Sequence, residues 1–274
     1  MNTERALRLP NFIKRFGPLH GLRLGLGLPA SGGDVSAPAR AVAVPGFKGP
    51  IWLRPTRSDY SIFWQCIVRG QYDLGHFPQT AELLRRFEAI KAAGQTPVII
   101  DGGANVGLSL RSFARDFPGA HIVSIEPDEQ NMRVLAANAR EAGDQATLVL
   151  GGIASNSGYC RVVARERGSA GFRTEECTAQ DPDAIRAYSV DELLALVPGG
   201  VPWIVKLDIE GAQEELFSRN LDWIDRTDLI ILEPDDWAFP WSGSTVNFFR
   251  ALSHARFDYL IDGELILCFR HKAA

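Results

Sequence analysis

The sequence predicts an α/β fold in which a mainly parallel, doubly wound sheet carries helices on both faces and ends in an antiparallel edge hairpin. From Pro97 onward, short apolar runs alternate with segments of helical periodicity, and repeated β-α units of this kind build parallel sheets. The first apolar run, residues 98–100, continues into the turn DGGANVG, which is typical of a strand that passes through glycines into a helix. Two further runs, 257–261 and 265–269, flank an Asp-Gly pair, which indicates a β-hairpin.

The individual elements follow from the same two periodicities. Runs with strand character lie at residues 98–100, 121–125, 146–150, 203–209 and 229–232, and residues 159–164 indicate an additional strand. Apolar residues recur at helical spacing from the glycine turn to residue 117 and at residues 129–142, 190–196, 213–218 and 245–255. Upstream, residues 51–53 indicate a short strand, and residues 59–69 and 80–93 indicate helices, the second stopped by Gly94.

Composition divides the chain into three segments. Residues 1–50 are predicted to form an N-terminal basic arm and linker, because the first 28 residues carry five basic side chains against one acid, and Pro, Gly, Ala and Ser dominate residues 29–50. Residues 51–96 are predicted to form a helical cap or lid region, and residues 97–274 the core domain. The arm is interpreted as a basic helix that caps the domain or meets a partner, with a weak contact to a membrane surface as the alternative.

Bulk properties argue against several classes of protein. A net charge of -4 and a pI near 5.8 are not those of a general nucleic-acid binder, which is normally basic. No stretch approaches the roughly 20 apolar residues of a transmembrane segment. The four cysteines form no C-x-x-C pair and no tight cluster, so neither a zinc site nor a disulfide framework is expected, and isolated thiols suit the reducing cytoplasm.

The glycine turn has two candidate ligands. A dinucleotide site requires G-x-G-x-x-G with backbone N–H groups directed at a pyrophosphate, but Ala104 stands at the middle glycine. The strand before the turn ends in Asp101, whose carboxylate repels a pyrophosphate and attracts a ligand that carries ammonium and sulfonium charges. Glu126 ends the next strand, at about the 20-residue spacing from which an acid binds ribose hydroxyls. These features favour S-adenosylmethionine, with NAD(P) as the alternative.

Several positions are therefore expected to bind S-adenosylmethionine. They end or follow successive strands, because ligands of doubly wound sheets bind beyond the carboxyl ends of the strands. Small residues after the third strand leave room for the adenine, with Ile153 packed on its face. The expected cofactor-binding residues are Asp101, Gly102, Gly103, Asn105, Gly107, Glu126, Pro127, Asn131, Gly152, Ile153 and Asp208.

A second group of charged residues lies at the end of the fourth strand. Lys206, Asp208 and Glu210 alternate, so they point to one face of that strand. Three charges on one face of a buried strand are costly unless they are paired or functional. We predict these three residues as the catalytic group, with Asp208 orienting an acceptor hydroxyl and helping to remove its proton. The alternative is a structural ion-pair network in which Lys206 neutralises an acid.

Three further residues are candidates for binding the acceptor substrate. Tyr72 belongs to a possible lid with Asp59 and His76, although a packed aromatic explains it equally well. Trp237 lies in EPDDWAFPWSG, a loop that can stack on a sugar or an apolar acceptor, with local packing as the alternative. Glu233 closes the fifth strand and is expected beside Asp208. With Glu210 these two acids could also hold a divalent cation, but their spacing is not diagnostic and no metal is predicted.

Four segments of the sequence resemble the motifs of FkbM-type methyltransferases. They are DGGANVG, SIEPDEQN, VKLDIEGAQ and the upstream RPTRSDYSIFWQCIVRGQYD, and the resemblance covers roughly residues 51–235. It implies a class I methyltransferase (Rossmann-like) fold and, in most members, O-methylation of sugars or other secondary metabolites. Many members carry EGAE where this chain has Gln213, which removes the acid from that position. The N-terminal helical extension lies outside the resemblance.

The function expected from these patterns is S-adenosylmethionine-dependent methyl transfer. The acceptor is expected to be a hydroxyl of a small molecule or sugar, in a cytoplasmic enzyme that binds no nucleic acid and has no transmembrane segment. The sequence is compatible with a homodimer. Two alternatives remain at this point: an NAD(P)-dependent oxidoreductase, and a non-catalytic protein that binds an adenosine ligand.

Overall fold

The computed structural model describes residues 3–28, 33–163, 173–241 and 243–271 of the chain. Its helices are α1 (Thr3–Gly27), α2 (Arg57–Phe63), α3 (Thr80–Ala92), α4 (Leu108–Asp116), α5 (Glu129–Arg140), α6 (Val190–Ala195), α7 (Gln213–Leu216) and α8 (Val246–Leu252). Its strands are β1 (Arg40–Val42), β2 (Ile51–Leu53), β3 (Thr96–Gly102), β4 (His121–Glu126), β5 (Ala146–Leu150), β6 (Gly152–Ile153), β7 (Gly158–Val163), β8 (Arg173–Cys177), β9 (Ala184–Tyr188), β10 (Gly200–Leu207), β11 (Leu229–Leu232), β12 (Phe257–Asp262) and β13 (Leu265–Arg270). Within these ranges no helix is both long and apolar enough to cross a bilayer.

The central sheet has the strand order β12-β13-β11-β10-β3-β4-β5. Its five strands from β11 to β5 pair in parallel, and β13 pairs antiparallel with both β11 and β12. The chain runs outward from β3 to β5 and then returns to β10 on the other side of β3. The strand order therefore reverses between β3 and β10, which is where a crevice opens at the carboxyl ends of the strands. The predicted doubly wound sheet with an antiparallel edge hairpin is confirmed.

Alternation along the strands builds a hydrophobic core on each face of this sheet. Ile99 of β3 points to one face and packs in a cluster with residues of α3, α4 and α5. Its neighbours Val98 and Ile100 point to the other face and pack with residues of α6, α7 and α8. All three side chains are fully buried, because a parallel strand covered by helices on both faces is apolar at every position.

A second, four-stranded sheet with the order β6-β9-β7-β8 extends from the end of β5. The sequence predicts β7, although residue 164 of that predicted strand lies outside the described residues. It does not predict β8 or β9, because RTEEC and AIRAY contain charged residues and no continuous apolar run. Both strands are held by antiparallel pairing with β7, a tertiary partner that local periodicity does not reveal.

The segment before the core differs from its prediction in two places. The sequence predicts one α-helix over residues 59–69, but α2 ends at Phe63 and a π-helical turn, Trp64–Arg69, continues to Gly70. Gly70 has a φ of 69°, a left-handed conformation that glycine adopts without strain. The expected linker at residues 29–50 contains β1, which pairs antiparallel with β2.

The N-terminal arm packs against this upstream segment. Helix α1 is interrupted at Gly17 (φ 76°, ψ 169°). The ring of Phe12 is 1% exposed and lies 6.4 Å from the ring of Phe63 and 5.7 Å from that of Trp64. The guanidinium of Arg8 lies 5.0 Å from the Trp64 ring centroid, a cation–π contact. Aromatic packing therefore attaches the arm to the body of the protein.

We expect Phe12→Ala to lower the free energy of unfolding by about 3 kcal/mol, because a buried aromatic ring is deleted from its contacts. Leu7→Ala is the matched control, since Leu7 lies on the same side of Gly17 as Phe12 and is 76% exposed; it should change stability by less than about 0.5 kcal/mol. Urea unfolding followed by tryptophan fluorescence measures both, and equal midpoints would contradict the packing described for the arm.

Candidate functional site

The glycine turn connects β3 to α4 at the point where the strand order reverses. Gly103 has a φ of 70°, and a Cβ at this position would collide with the carbonyl oxygen of Asp208. The backbone N–H groups of Gly103 and Ala104 both donate to the carbonyl of Ile125, at 3.1 and 3.0 Å. The turn therefore lies against the ends of both neighbouring strands, and only a residue without a side chain fits at position 103.

Glu126, the last residue of β4, lies against the glycine turn. Its Oε2 accepts a hydrogen bond from the N–H of Asn105 at 2.8 Å, and its Oε1 accepts from the N–H of Asp128 and the Nδ2 of Asn131, each at 3.1 Å. Burial raises the pKa of this carboxyl to about 7, although these three hydrogen bonds oppose the rise. The carboxylate has about four acceptor positions, so it retains capacity for a ligand hydroxyl.

Asp101 is fully buried at the end of β3. Its Oδ2 accepts hydrogen bonds from the hydroxyls of Ser109 at 2.7 Å and Ser124 at 3.2 Å, and its Oδ1 lies 3.2 Å from the Nζ of Lys206. The structure thus places Asp101 behind Lys206 and not among the residues that line the adjacent cavity. Its charge acts on the site through this ion pair.

Lys206 of β10 joins the turn to the two acids. Its side chain is 2% exposed, and its Nζ donates to the carbonyls of Gly102 and Gly103 at 3.1 and 2.8 Å and lies 3.7 Å from the Oδ2 of Asp208. Burial lowers the pKa of the ammonium, but the charges of Asp101 and Asp208 outweigh burial and the pKa is raised. Lys206 is therefore a charged ammonium held by two ion pairs and two carbonyl contacts, and its membership of the catalytic group stays a prediction.

A cavity of about 250 Å³ opens at the carboxyl ends of β3, β10 and β11. All six residues predicted to be catalytic or to bind the acceptor lie along it, together with part of the glycine turn. Among its lining residues are Tyr72, Gly103, Asn105, Lys206, Asp208, Glu210, Glu233 and Trp237. Tyr72 is buried with its ring 5.2 Å from that of Phe113, whereas Trp237 is 70% exposed at the rim.

Other predicted cofactor residues lie outside this cavity. Ile153 lines a neighbouring cavity of about 370 Å³, next to Gly211, and Gly152 precedes it in β6. Asn131 is fully buried behind Glu126.

Gly107 precedes α4 with a φ of 84°, and a Cβ there would lie 2.6 Å from a methyl group of Leu135, so close helix packing requires this glycine. Gly102 lies within β3, and Pro127, half-buried, directly follows Glu126.

The acidic character of the cavity comes from residues on separate elements. Asp208 is 36% exposed, and burial raises its pKa although Lys206 lowers it. Burial also raises the pKa of Glu233, and the charges of Asp208 and Glu264 raise it further. Glu210 completes the acidic lining. Of the described residues that line the cavity, only Lys206 carries a positive charge.

Sequence reasoning missed several residues of the cavity. Glu264 lies in the turn between β12 and β13 and accepts from Gln65 at 3.2 Å, while Gln71 donates to Glu233 at 3.4 Å. Outside the cavity lining, the buried Gln213 donates through its Nε2 to the carbonyl oxygen of Glu233 at 2.6 Å. No local pattern marks Glu264, because it reaches the site only when β13 pairs with β11.

Two residues of the expected lid have other surroundings. Asp59 is fully buried and forms an ion pair with Arg54 at 2.8 Å, so it does not cover the cavity. His76 lies 3.6 Å from Asp262 and is not part of the cavity lining. Over the described residues, no group of three or more His, Cys, Asp or Glu side chains is arranged to hold a metal ion.

Replacing Lys206 with methionine should lower the free energy of unfolding by about 3–5 kcal/mol, because Asp101 would remain buried and charged without its partner. The double variant Lys206→Met/Asp101→Asn should recover much of this loss, since it removes both charges. Arg219→Met removes two half-exposed ion pairs, with Glu176 and Glu215, and a hydrogen bond to Ser155, and it should cost about 1 kcal/mol or less. Guanidinium unfolding measures all three, and equal losses for Lys206→Met and Arg219→Met would rule out the buried network.

The chain resembles several solved structures at low sequence identity. Among solved structures, the chain is similar to monomeric WbdD (19% identity, TM-score 0.38), covering 72% of this chain and 40% of that one. It is also similar to a putative O-methyltransferase from Klebsiella pneumoniae (13% identity, TM-score 0.38), covering 72% of this chain and 83% of that one. A third similar structure is cofactor-bound Rv0187 from MTB (15% identity, TM-score 0.36), with 79% of this chain and 98% of that one covered. The chain thus spans less than half the length of WbdD. No curated protein sequence matches it.

The family assignment comes from the sequence itself. The family described as the methyltransferase FkbM domain matches residues 101–259, more than half of the chain. The match includes the glycine turn, Glu126, the β10 charges and Glu233. The observed strand order, with antiparallel β13 between β11 and β12, is the class I methyltransferase fold predicted for such a chain. The chain therefore belongs to the FkbM methyltransferase family.

Proposed function

We propose that this protein transfers a methyl group from S-adenosylmethionine to a hydroxyl of a small molecule or sugar. The observation that carries the proposal is the acidic lining of the cavity, where Asp208, Glu210, Glu233 and Glu264 share the described lining with a single lysine. That lysine is already bound to Asp101 and two carbonyls. A cavity of this charge favours a cationic ligand and disfavours the pyrophosphate of a dinucleotide, which speaks against the oxidoreductase alternative.

The residues present fit an adenosine ligand with a cationic end. The Glu126 carboxylate can accept hydrogen bonds from the ribose hydroxyls at the glycine turn. Ile153 and Pro127 provide apolar surface against which the adenine can pack. The cationic end belongs in the acidic cavity, beside Asp208 and Asn105. When bound, S-adenosylmethionine supplies an electrophilic methyl group on its sulfonium.

The residues of the chain then orient the acceptor and move its proton. Asp208 is partly exposed to the cavity and is tethered by Lys206, so its carboxylate is positioned to accept a hydrogen bond from an acceptor hydroxyl and to take its proton. Lys206 holds Asp208 relative to the glycine turn, and Glu210 adds negative charge to the same loop. Alignment of the reacting groups supplies much of the acceleration in such a reaction.

The acceptor is proposed to enter between Tyr72, Glu233 and Trp237. Glu233 lies beside Asp208 with its raised pKa, so it is a second group able to bind or take a hydroxyl proton. Gln71 fixes this carboxyl by its amide. The exposed indole of Trp237 offers a flat surface at the rim, on which a sugar ring or another apolar face can stack.

The proposal is tested by incubating the protein with S-adenosylmethionine labelled in its methyl group and a panel of sugars, glycolipids and polyketides. We expect a methylated product, identified by mass spectrometry, and a loss of turnover of about 100-fold in Asp208→Asn. The control Glu88→Gln changes an exposed acid of α3 that lines neither cavity and should retain wild-type turnover. Preference for NAD over S-adenosylhomocysteine in a calorimetric titration, or unchanged turnover and donor affinity in Asp208→Asn, would contradict the proposal.

The pKa of about 7 at Glu126 predicts a pH dependence of cofactor binding. Ribose hydroxyls donate to the ionised carboxylate, so affinity for S-adenosylhomocysteine should rise between pH 6 and 8 and level off as Glu126 loses its proton. Glu126→Gln should bind at least about tenfold more weakly and without this rise, whereas Glu129→Gln, an exposed neighbour, should resemble wild type. The same pH profile in Glu126→Gln and wild type would exclude Glu126 as its source.

A further inference from the structure

A buried series of polar contacts leads from the upstream segment to Glu126. The Nη2 of Arg54 donates to the Oδ1 of Asn131 at 2.7 Å, and the Nδ2 of Asn131 donates to the Oε1 of Glu126 at 3.1 Å. The same guanidinium pairs with Asp59 at 2.8 Å. Arg54, Asp59, Asn131 and Glu126 are all buried, so water does not compete strongly for these contacts.

The chemistry of Arg54 determines which way the amide of Asn131 faces. A guanidinium has only donors, so it requires the carbonyl oxygen of the amide, and the amide nitrogen must then face Glu126. In the reversed orientation the amide oxygen would face the carboxylate, and two acceptors would repel. Asp59 balances the charge of Arg54, so the arrangement orients the amide without leaving a buried, unpaired cation.

The hydrogen bond from Asn131 completes the set of donors around the carboxylate. The other two donors are the backbone N–H groups of Asn105 and Asp128, which no side-chain substitution removes. Asn131 is therefore the one side chain among the described hydrogen-bond partners of Glu126, and its orientation depends on Arg54. The nearby charged groups are the carboxylate of Asp128 and, beyond Asn131, the Arg54–Asp59 pair.

We propose that Arg54 and Asn131 are positioning residues, which hold the Glu126 carboxylate in the orientation that binds the ribose of the methyl donor. This inference rests on the proposed function, because it concerns the donor site of that reaction. Neither residue lines the cavity beside Asp208, and both act through Glu126. Arg54 lies outside the residues matched by the family, in the segment between β2 and α2, so the upstream segment takes part in cofactor binding.

The test measures the affinity for S-adenosylhomocysteine by calorimetry between pH 6 and 8. Asn131→Leu should bind about tenfold more weakly. The pH midpoint of its binding should also move upward, because the lost hydrogen bond is one that lowers the pKa of Glu126. The double variant Arg54→Met/Asp59→Asn should weaken binding in the same direction, and it leaves no unpaired charge in the interior.

Arg54→Lys is the second, milder variant. A lysine can still pair with Asp59, but it has no planar fork to reach Asp59 and Asn131 together, so the fold should persist while binding weakens. The matched control is Arg86→Met/Asp228→Asn, which removes a partly buried ion pair of 2.6 Å at the opposite end of β11. This control should keep the wild-type affinity and pH midpoint.

The outcomes separate the two proposals. Wild-type affinity and midpoint in Asn131→Leu and Arg54→Lys, with circular dichroism showing folded protein, would overturn the positioning role. A loss of the same size in the Arg86→Met/Asp228→Asn control would overturn it too, because the effect would then be one of general stability. A wild-type protein that fails to bind S-adenosylhomocysteine would overturn the proposed function, and the positioning role with it.

Discussion

The ammonium of Lys206, buried between two aspartates and two backbone carbonyls, is the interaction on which the site depends. A charged group inside a protein is tolerated only when its desolvation is offset by close partners. Here the partners are Asp101 and the carbonyls of Gly102 and Gly103, all at or just after the end of β3. The lysine therefore joins β10 to the glycine turn across the reversal of strand order, where hydrogen bonding between the two strands ends.

This arrangement also explains why the turn contains glycine and why the cavity is acidic. The turn lies so close to β10 that position 103 has no space for a side chain. Because the charge of Lys206 is balanced behind the cavity by Asp101, the acidic side chains of Asp208 and Glu264 in front of it have no second cation in the described lining. Glu233 beside them has its pKa raised to about 8 by burial and by these acids, so a bound cation would favour its ionised form. The negative potential is therefore directed toward a ligand, and a cation is the ligand that it stabilises.

The upstream segment is part of the same structure. Its Arg54–Asp59 ion pair contacts the helix that follows Glu126 through Asn131, and Asn138 of that helix bonds the backbone of Trp52 in β2. The aromatic contacts of Phe12 then attach the N-terminal arm to the segment. Burial of these polar groups is compensated by mutual hydrogen bonds, which restricts each side chain to one orientation.

The amino-acid pattern alone predicts the doubly wound sheet, the glycine turn, and the positions of Asp101, Glu126, Asp208 and Glu233 at or next to strand ends. These features are local, because strand periodicity, turn glycines and the residue that ends a strand are all read within a few positions. Which of these residues share a cavity depends on tertiary contacts. In the folded protein Asp101 lies behind Lys206, Asp59 is buried in an ion pair, and Glu264 of the hairpin reaches the cavity. The sequence does not predict these contacts, because they depend on how separate elements pack together. Tertiary pairing with β7 also explains why β8 and β9 are strands, since this pairing outweighs their weak local propensity for strand structure.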